Sequence, residues 1–243
     1  MLHICIRRIL LETQGNRKHS HKMVFLAGSP GAGKSTLVDM LGLDSMFTTC
    51  NIDHFFEKMM KDEGMNLNMA QTYKDVKDLK NQKEESETWS ERQEQDLQNK
   101  RAVRSREGKL FSDAIKQFTQ QKGELCNIGA NFIVDGTASS VKRITQEKEF
   151  YEQLGYDTAM IKIEVPVDIS VQRNQSRGAQ GKRQLPDFIV KGSAEKTNKP
   201  ENVEAFRKAF GKNFFYVSNV GSYEDFQESI EAIQLELERF LQS

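Results

Sequence analysis

The chain has 243 residues, enough for one α/β domain carrying an insertion. Its 35 basic and 35 acidic residues cancel, which disfavours nucleic acid and anionic membrane surfaces as partners. No apolar stretch approaches the ~20 residues needed to cross a bilayer. Cys5, Cys50 and Cys126 are odd in number and form no CxxC pair, so a disulfide framework or zinc site is not expected and a cytoplasmic setting is. Only 37% of residues are hydrophobic, so part of the chain is expected as solvated helix outside the core.

Residues 1–22 read as an N-terminal extension. Arginines flank an apolar run too short for a signal peptide, and no small-residue cleavage site follows. A short extra helix is expected there, with the domain proper spanning 23–243. Apolar runs then alternate with helical stretches, the pattern of a parallel sheet with crossover helices. Strands are expected at Met23–Ala27, Thr48–Ile52, Asn131–Asp135, Thr158–Val165 and Asn213–Val217. Helices are expected at about Gly33–Leu41, Val141–Leu154, Ile169–Arg177, Glu201–Phe210 and Tyr223–Leu241. In the last of these, Phe226, Ile230, Ile233, Leu237 and Phe240 or Leu241 recur at three- and four-residue steps, which makes a core-facing stripe. Residues 57–124 are rich in Lys, Glu, Gln and Asn and poor in Gly and Pro. They read as two or more exposed helices inserted between strands. A solvated hairpin is the plain expectation; a substrate lid or a surface for a protein partner is the sharper one. The fold class that follows is α/β, a three-layer sandwich with a mostly parallel five-stranded sheet and a helical insertion, and Gly28–Ser35 (GSPGAGKS, a match to GxxxxGK[ST]) after the first strand makes a P-loop NTPase the expected form.

The first run leads straight into Gly28-Ser29-Pro30-Gly31-Ala32-Gly33-Lys34-Ser35, a match to GxxxxGK[ST] between a strand and a helix. Glycines let the backbone curl so that N–H groups face phosphate oxygens. The helix start adds its positive dipole end. Lys34 supplies charge to the β- and γ-phosphates, the Ser35 hydroxyl is placed for Mg²⁺, and Thr36 lies near the α-phosphate. ATP is the expected donor, with GTP left open.

Ligands in open α/β sheets sit beyond the carboxyl ends of the strands. Asp53 and Asp135 occupy that edge. Asp135 ends a hydrophobic strand and is expected at the metal. Asp53 is expected as the base that takes the acceptor hydroxyl's proton. A helix cap or turn is the plain alternative for each. Thr137 is expected either to contact the acceptor or to cap the next helix. Residues 173–183 (RNQSRGAQGKR) follow the fourth strand. Arg173 and Arg177 share a helix face, and Arg183 follows Gly178 and Gly181, where a flexible lid carrying charge-stabilising arginines is expected. His54 reads as an incidental neighbour of Asp53, and Phe55 and Phe56 as packing residues.

The segments VFLAGSPGAGKSTL, NIDHFF, GANFIVDGTASS, EQLGYDTAMIKIEVPVDISVQRNQSRG and QLPDFIVKG cover about half the chain in order. Together they resemble the zeta-toxin-like group of small P-loop kinases, relatives of polynucleotide kinase. The resemblance implies a nucleotide-dependent phosphotransferase, with Lys34 and Ser35 on phosphates and metal, Asp53 as base, and Arg173 or Arg177 with Arg183 in the lid. Such kinases often carry a second carboxylate beside the base, whereas here His54, Phe55 and Phe56 follow Asp53. The expected activity is transfer of the γ-phosphoryl group to a hydroxyl of a small or nucleotide-like acceptor. Rival readings are a polynucleotide or nucleotide kinase, and a nucleotide-gated interaction protein with little or no transfer.

Overall fold

The computed structural model describes residues 21–243. The helix expected at the N-terminus lies outside them. Five strands form one sheet in the order β2-β3-β1-β4-β5: β1 His21–Ala27, β2 Thr48–Asn51, β3 Phe132–Gly136, β4 Tyr156–Glu164 and β5 Phe214–Ser218. Every pairing is parallel, so the sheet is fully rather than mostly parallel. β1 starts two residues before Met23, so His21 and Lys22 belong to the sheet rather than to an extension.

The helices are α1 Lys34–Met40, α2 Ile52–Asp62, α3 Met69–Glu85, α4 Glu91–Asn127, α5 Val141–Gln153, α6 Val167–Ala179, α7 Asp187–Thr197, α8 Pro200–Phe210 and α9 Tyr223–Gln242. In β1, Val24 and Leu26 enter one hydrophobic cluster with residues of α1 and α9. Met23, Phe25 and Ala27 enter another, with Phe118 of α4, Tyr151 of α5 and Phe206 of α8. Alternate residues thus feed opposite faces, which is why buried parallel strands read as unbroken apolar runs. The result is the expected three-layer sandwich. The α9 stripe is buried at each of its expected positions.

The insertion differs from a plain solvated hairpin. Phe56 and Met60 of α2 pack with Leu110 and Ala114 of α4 in a third cluster. α4 is 37 residues long, about 55 Å at 1.5 Å per residue. Its C-terminal part buries Phe118 and Lys122 against the main core. It therefore serves as the crossover helix into β3 and runs past residue 124. Helix α7 was not anticipated. It starts just after Pro186, whose fixed φ suits a helix entrance.

Lys162 is fully buried, donating to the Ile163 carbonyl and to Asn198 Oδ1, each at 2.9 Å. Burial pulls its ammonium pKa down from 10.5 to about 8. Between those values the unfolded chain binds more protons than the native one, so stability rises with pH across that window. Below it the full cost of the buried charge is present. Lys162→Met is expected to flatten this rise, read as urea midpoints taken through the window.

Candidate functional site

A cleft of about 640 Å³ opens at the carboxyl edge of the sheet. Its floor is the phosphate loop. Gly31 (φ 79°) and Gly33 (φ 89°) adopt left-handed backbone, which only glycine takes without strain. A Cβ on Gly33 would also lie 2.7 Å from Asn219 Nδ2. α1 begins at Lys34, so its N-terminal amides face the cleft. Gly28 N–H donates to the Gly136 carbonyl at 3.3 Å, joining the loop to the end of β3.

Lys34 Nζ donates to the carbonyls of Gly28 (2.9 Å) and Ser29 (3.4 Å) and lies 3.7 Å from Asp135 Oδ1. The lysine thus curls back over the loop, where phosphate oxygens could replace those carbonyls. Burial pushes the Asp135 carboxyl above its usual range, and the Lys34 charge opposes this. Asp135 Oδ1 is buried without a hydrogen-bond partner. Ser35 is exposed on the same cleft. An orphaned carboxylate oxygen and a hydroxyl are hard-cation donors, so these residues fit the divalent metal such a loop implies. The described residues hold no group of three or more His, Cys, Asp or Glu able to bind a metal. Phosphates and water would complete the shell, as Mg²⁺ prefers.

Two residues of α6 brace the loop. Ser170 Oγ donates to Pro30's carbonyl and can accept from Ser29 Oγ, and Arg173 donates to the Gly31 carbonyl (3.1 Å) and Asn219 Oδ1 (3.0 Å). Asn219 in turn donates to the Ala32 carbonyl at 2.9 Å. Ser170 and Asn219 were not anticipated; single polar residues in a helix and after a strand carry no spacing signal. Arg173 sits in the helix ahead of the lid segment, engaged with the loop backbone. Arg173→Ala would leave the Gly31 carbonyl short of a donor. It is expected to lower stability by about 1–3 kcal/mol, read by thermal melting with and without nucleotide.

Asp53 follows the second strand, but already within a helix. β2 stops at Asn51, and Asp53 lies in the first turn of α2, with Asn51 as N-cap. Its carboxylate is 2.6 Å from Arg183, whose side chain is only 8% exposed. Arg183 Nε also reaches Glu57 at 3.5 Å, and the guanidinium lies over the Phe56 ring. Glu57 supplies a second carboxylate one helical turn past Asp53, a placement the i, i+4 spacing allows. The segment holding Arg183 is not a flexible loop. Gly178 is helical. Gln184 N–H donates to the Leu67 carbonyl (3.1 Å) and its carbonyl accepts from Ala70 N–H (3.3 Å). Asn174 closes both backbone groups of Leu185. The insertion and the lid segment are therefore stitched together.

Arg177 and Lys182 are exposed residues lining the cleft, as is His54. Thr137 lines it too, and its carbonyl accepts from Thr197 Oγ1 at 2.9 Å. The next residue, Ala138, has φ 50°, uncommon for a residue with a Cβ, and Ser140, not Thr137, caps α5. Phe56 is buried and Phe55 packs beside it, as expected. Pro30, Ala32 and Thr36 also line the cleft. Among the described residues no helix is long and apolar enough to cross a membrane.

Comparison with solved structures gives fold-level likeness at low identity. A candidate kinase from Chloroflexus aurantiacus is 16% identical, with 93% of this chain and 98% of that one covered at a TM-score of 0.52. A gluconokinase from Sinorhizobium meliloti is 10% identical, covering 92% and 97% at 0.49. A protein of the PezAT chromosomal toxin–antitoxin system of Streptococcus pneumoniae is 14% identical, covering 98% and 94% at 0.47. No curated protein matches the sequence. The family profile described as an AAA domain matches residues 23–195, most of the chain. The chain belongs to this AAA domain family and has the α/β P-loop NTPase fold.

Proposed function

We propose that this protein is an ATP-dependent kinase that moves the γ-phosphoryl group to a hydroxyl of a small or nucleotide-like acceptor, in the manner of the zeta-toxin-like kinases. One observation carries the reading: a single cleft joins the phosphate loop and Asp135 to a solvent-accessible carboxylate, Asp53. A phosphoryl group held at the loop would face that carboxylate's arm of the cleft. Loop amides and Lys34 hold the phosphates. Ser35 and Asp135 would hold Mg²⁺, which would supply charge neutralisation at the phosphates. Asp53 takes the hydroxyl proton. Arg177, at the cleft wall, meets the charge on the transferring group, while Arg183 orients the carboxylates of α2 and Arg173 the loop. Thr137 borders the acceptor. GTP remains an alternative donor, because no residue that would read the base is assigned.

The test is incubation with γ-labelled ATP, Mg²⁺ and a panel of nucleotide sugars, nucleosides, nucleotides, small polyols and 5′-hydroxyl oligonucleotides. Label on one acceptor supports the reading and names its class; label confined to oligonucleotides would establish the polynucleotide kinase alternative. Tight ATP binding with no labelled acceptor would favour a nucleotide-gated interaction protein. One observation leans toward that reading. Val103, Phe111 and Ile115 of α4 are 40%, 41% and 39% exposed at spacings that share a helix face. The reading also predicts a protein partner, carried by the 57–124 helices, that is lost when Val103, Phe111 and Ile115 are replaced by serine.

A further inference from the structure

Asn51 uses both ends of its side chain between the two halves of the site. It is the last residue of β2, in register with Asp135 on β3. Register partners in parallel strands point to the same face of the sheet. Its Nδ2 donates to Asp135 Oδ2 at 2.5 Å, and its Oδ1 accepts from Asp53 N–H at 2.7 Å. The amide orientation is fixed by this chemistry. Reversed, it would set oxygen against a carboxylate and an NH₂ against an N–H.

This arrangement leaves only Asp135 Oδ1 turned toward Lys34, at 3.7 Å, beyond hydrogen-bond reach. A carboxylate without the Asn51 tether can rotate about its terminal torsion, which is broad. It would then make a direct ion pair with Lys34 that incoming phosphates must break. The same tether ends in the first turn of α2, which carries Asp53.

We propose that Asn51 is a positioning residue that fixes which oxygen of Asp135 is presented to the metal–nucleotide complex and ties that choice to the placement of Asp53. The inference rests on the metal reading of Asp135. It assigns Asn51 more than the helix cap that its position alone suggests.

The experiment compares wild type, Asn51→Ala and Asn51→Ser as full chains. Calorimetry measures binding of a non-hydrolysable ATP analogue with an imido β–γ bridge, with and without Mg²⁺, and thermal melting is read alongside. Serine can still cap α2 but is too short to hold Asp135 as well. The expected result is that both variants lose about tenfold or more of the tightening that Mg²⁺ gives wild type. Asn51→Ser should keep a melting point close to wild type, so it carries the test even where Asn51→Ala fails to fold. Wild-type-like Mg²⁺ tightening in Asn51→Ser would reduce Asn51 to a cap and overturn the inference alone. Wild-type binding of the analogue that is indifferent to Mg²⁺ would overturn the metal reading, and the inference with it.

Discussion

Lys34→Ala is expected to reduce phosphotransfer by at least 10²–10³-fold, the usual cost of removing one preorganised group that meets developing charge. The lysine touches two loop carbonyls and stands 3.7 Å from Asp135, so its ammonium lies where the loop and the strand edge converge. With alanine there, the phosphates would lose the ammonium that stands against the loop. Asp135 would also face the cleft without the charge that now opposes its burial. Nucleotide affinity should therefore fall together with turnover, while the fold persists because Lys34 belongs to none of the three hydrophobic clusters. Labelled-ATP transfer and a nucleotide titration, run beside a thermal melt, check all three expectations. Full transfer by a folded Lys34→Ala protein would remove the phosphate loop from the chemistry. A protein that binds nucleotide only to recruit a partner would lose binding in this variant but would have no transfer to lose.

The loop and the sheet were legible because their signals are local. The phosphate loop is a contiguous motif whose glycines are demanded by backbone geometry at Gly31 and Gly33. Four of the five strands carry apolar runs because helices cover both faces, so composition marks them, while the short β2 (Thr48–Asn51) is mostly polar. The buried face of α4 hid for the opposite reason, although the stretch read as helical. Its buried positions include Leu97, Leu110, Ala114 and Phe118, but Glu107 and Lys122 occupy the same stripe. Glu107 is buried beside Arg104, and Lys122 is paired with Glu147 beneath the Phe118 ring. Charged residues in a packed stripe break the hydrophobic period while satisfying the packing. A sequence window cannot see partners that lie 25 residues away in the chain.

The acceptor side of the cleft was only partly legible, because its contacts are long-range. Arg183 reads as a basic residue after glycines, which suggests a mobile lid. In the fold it is buried against α2, and the backbone of Gln184 is bonded to the start of the insertion. Glu57 was overlooked because the helix beginning at Ile52 read as the end of a strand. Once α2 starts there, a carboxylate at i+4 from Asp53 falls on the same face. Asn51 likewise reads as a polar strand residue until its register with Asp135 is known.

Asp53→Asn is the sharpest separation of binding from chemistry. The change keeps shape and removes the proton acceptor, so transfer to the acceptor hydroxyl is expected to fall by about 10²–10⁴-fold. Nucleotide affinity should stay close to wild type, because the Asp53 carboxylate is paired with Arg183 rather than with Lys34 or the loop. Its side chain is 46% exposed, so an acceptor can reach it, whereas Arg183 behind it is nearly sealed from solvent. Arg183 would keep Glu57 as an ionic partner, which limits the structural cost of the change. Glu57→Gln then serves as the internal control. It leaves the shorter Arg183–Asp53 contact intact and is expected to lower transfer less than Asp53→Asn. The comparison is read as transfer rates for both variants at saturating ATP on the acceptor that the panel identifies. If Glu57→Gln proves the more damaging change, the base is Glu57 and Asp53 is the residue that orients Arg183. Equal activity in both variants and wild type would place the proton transfer outside α2 altogether.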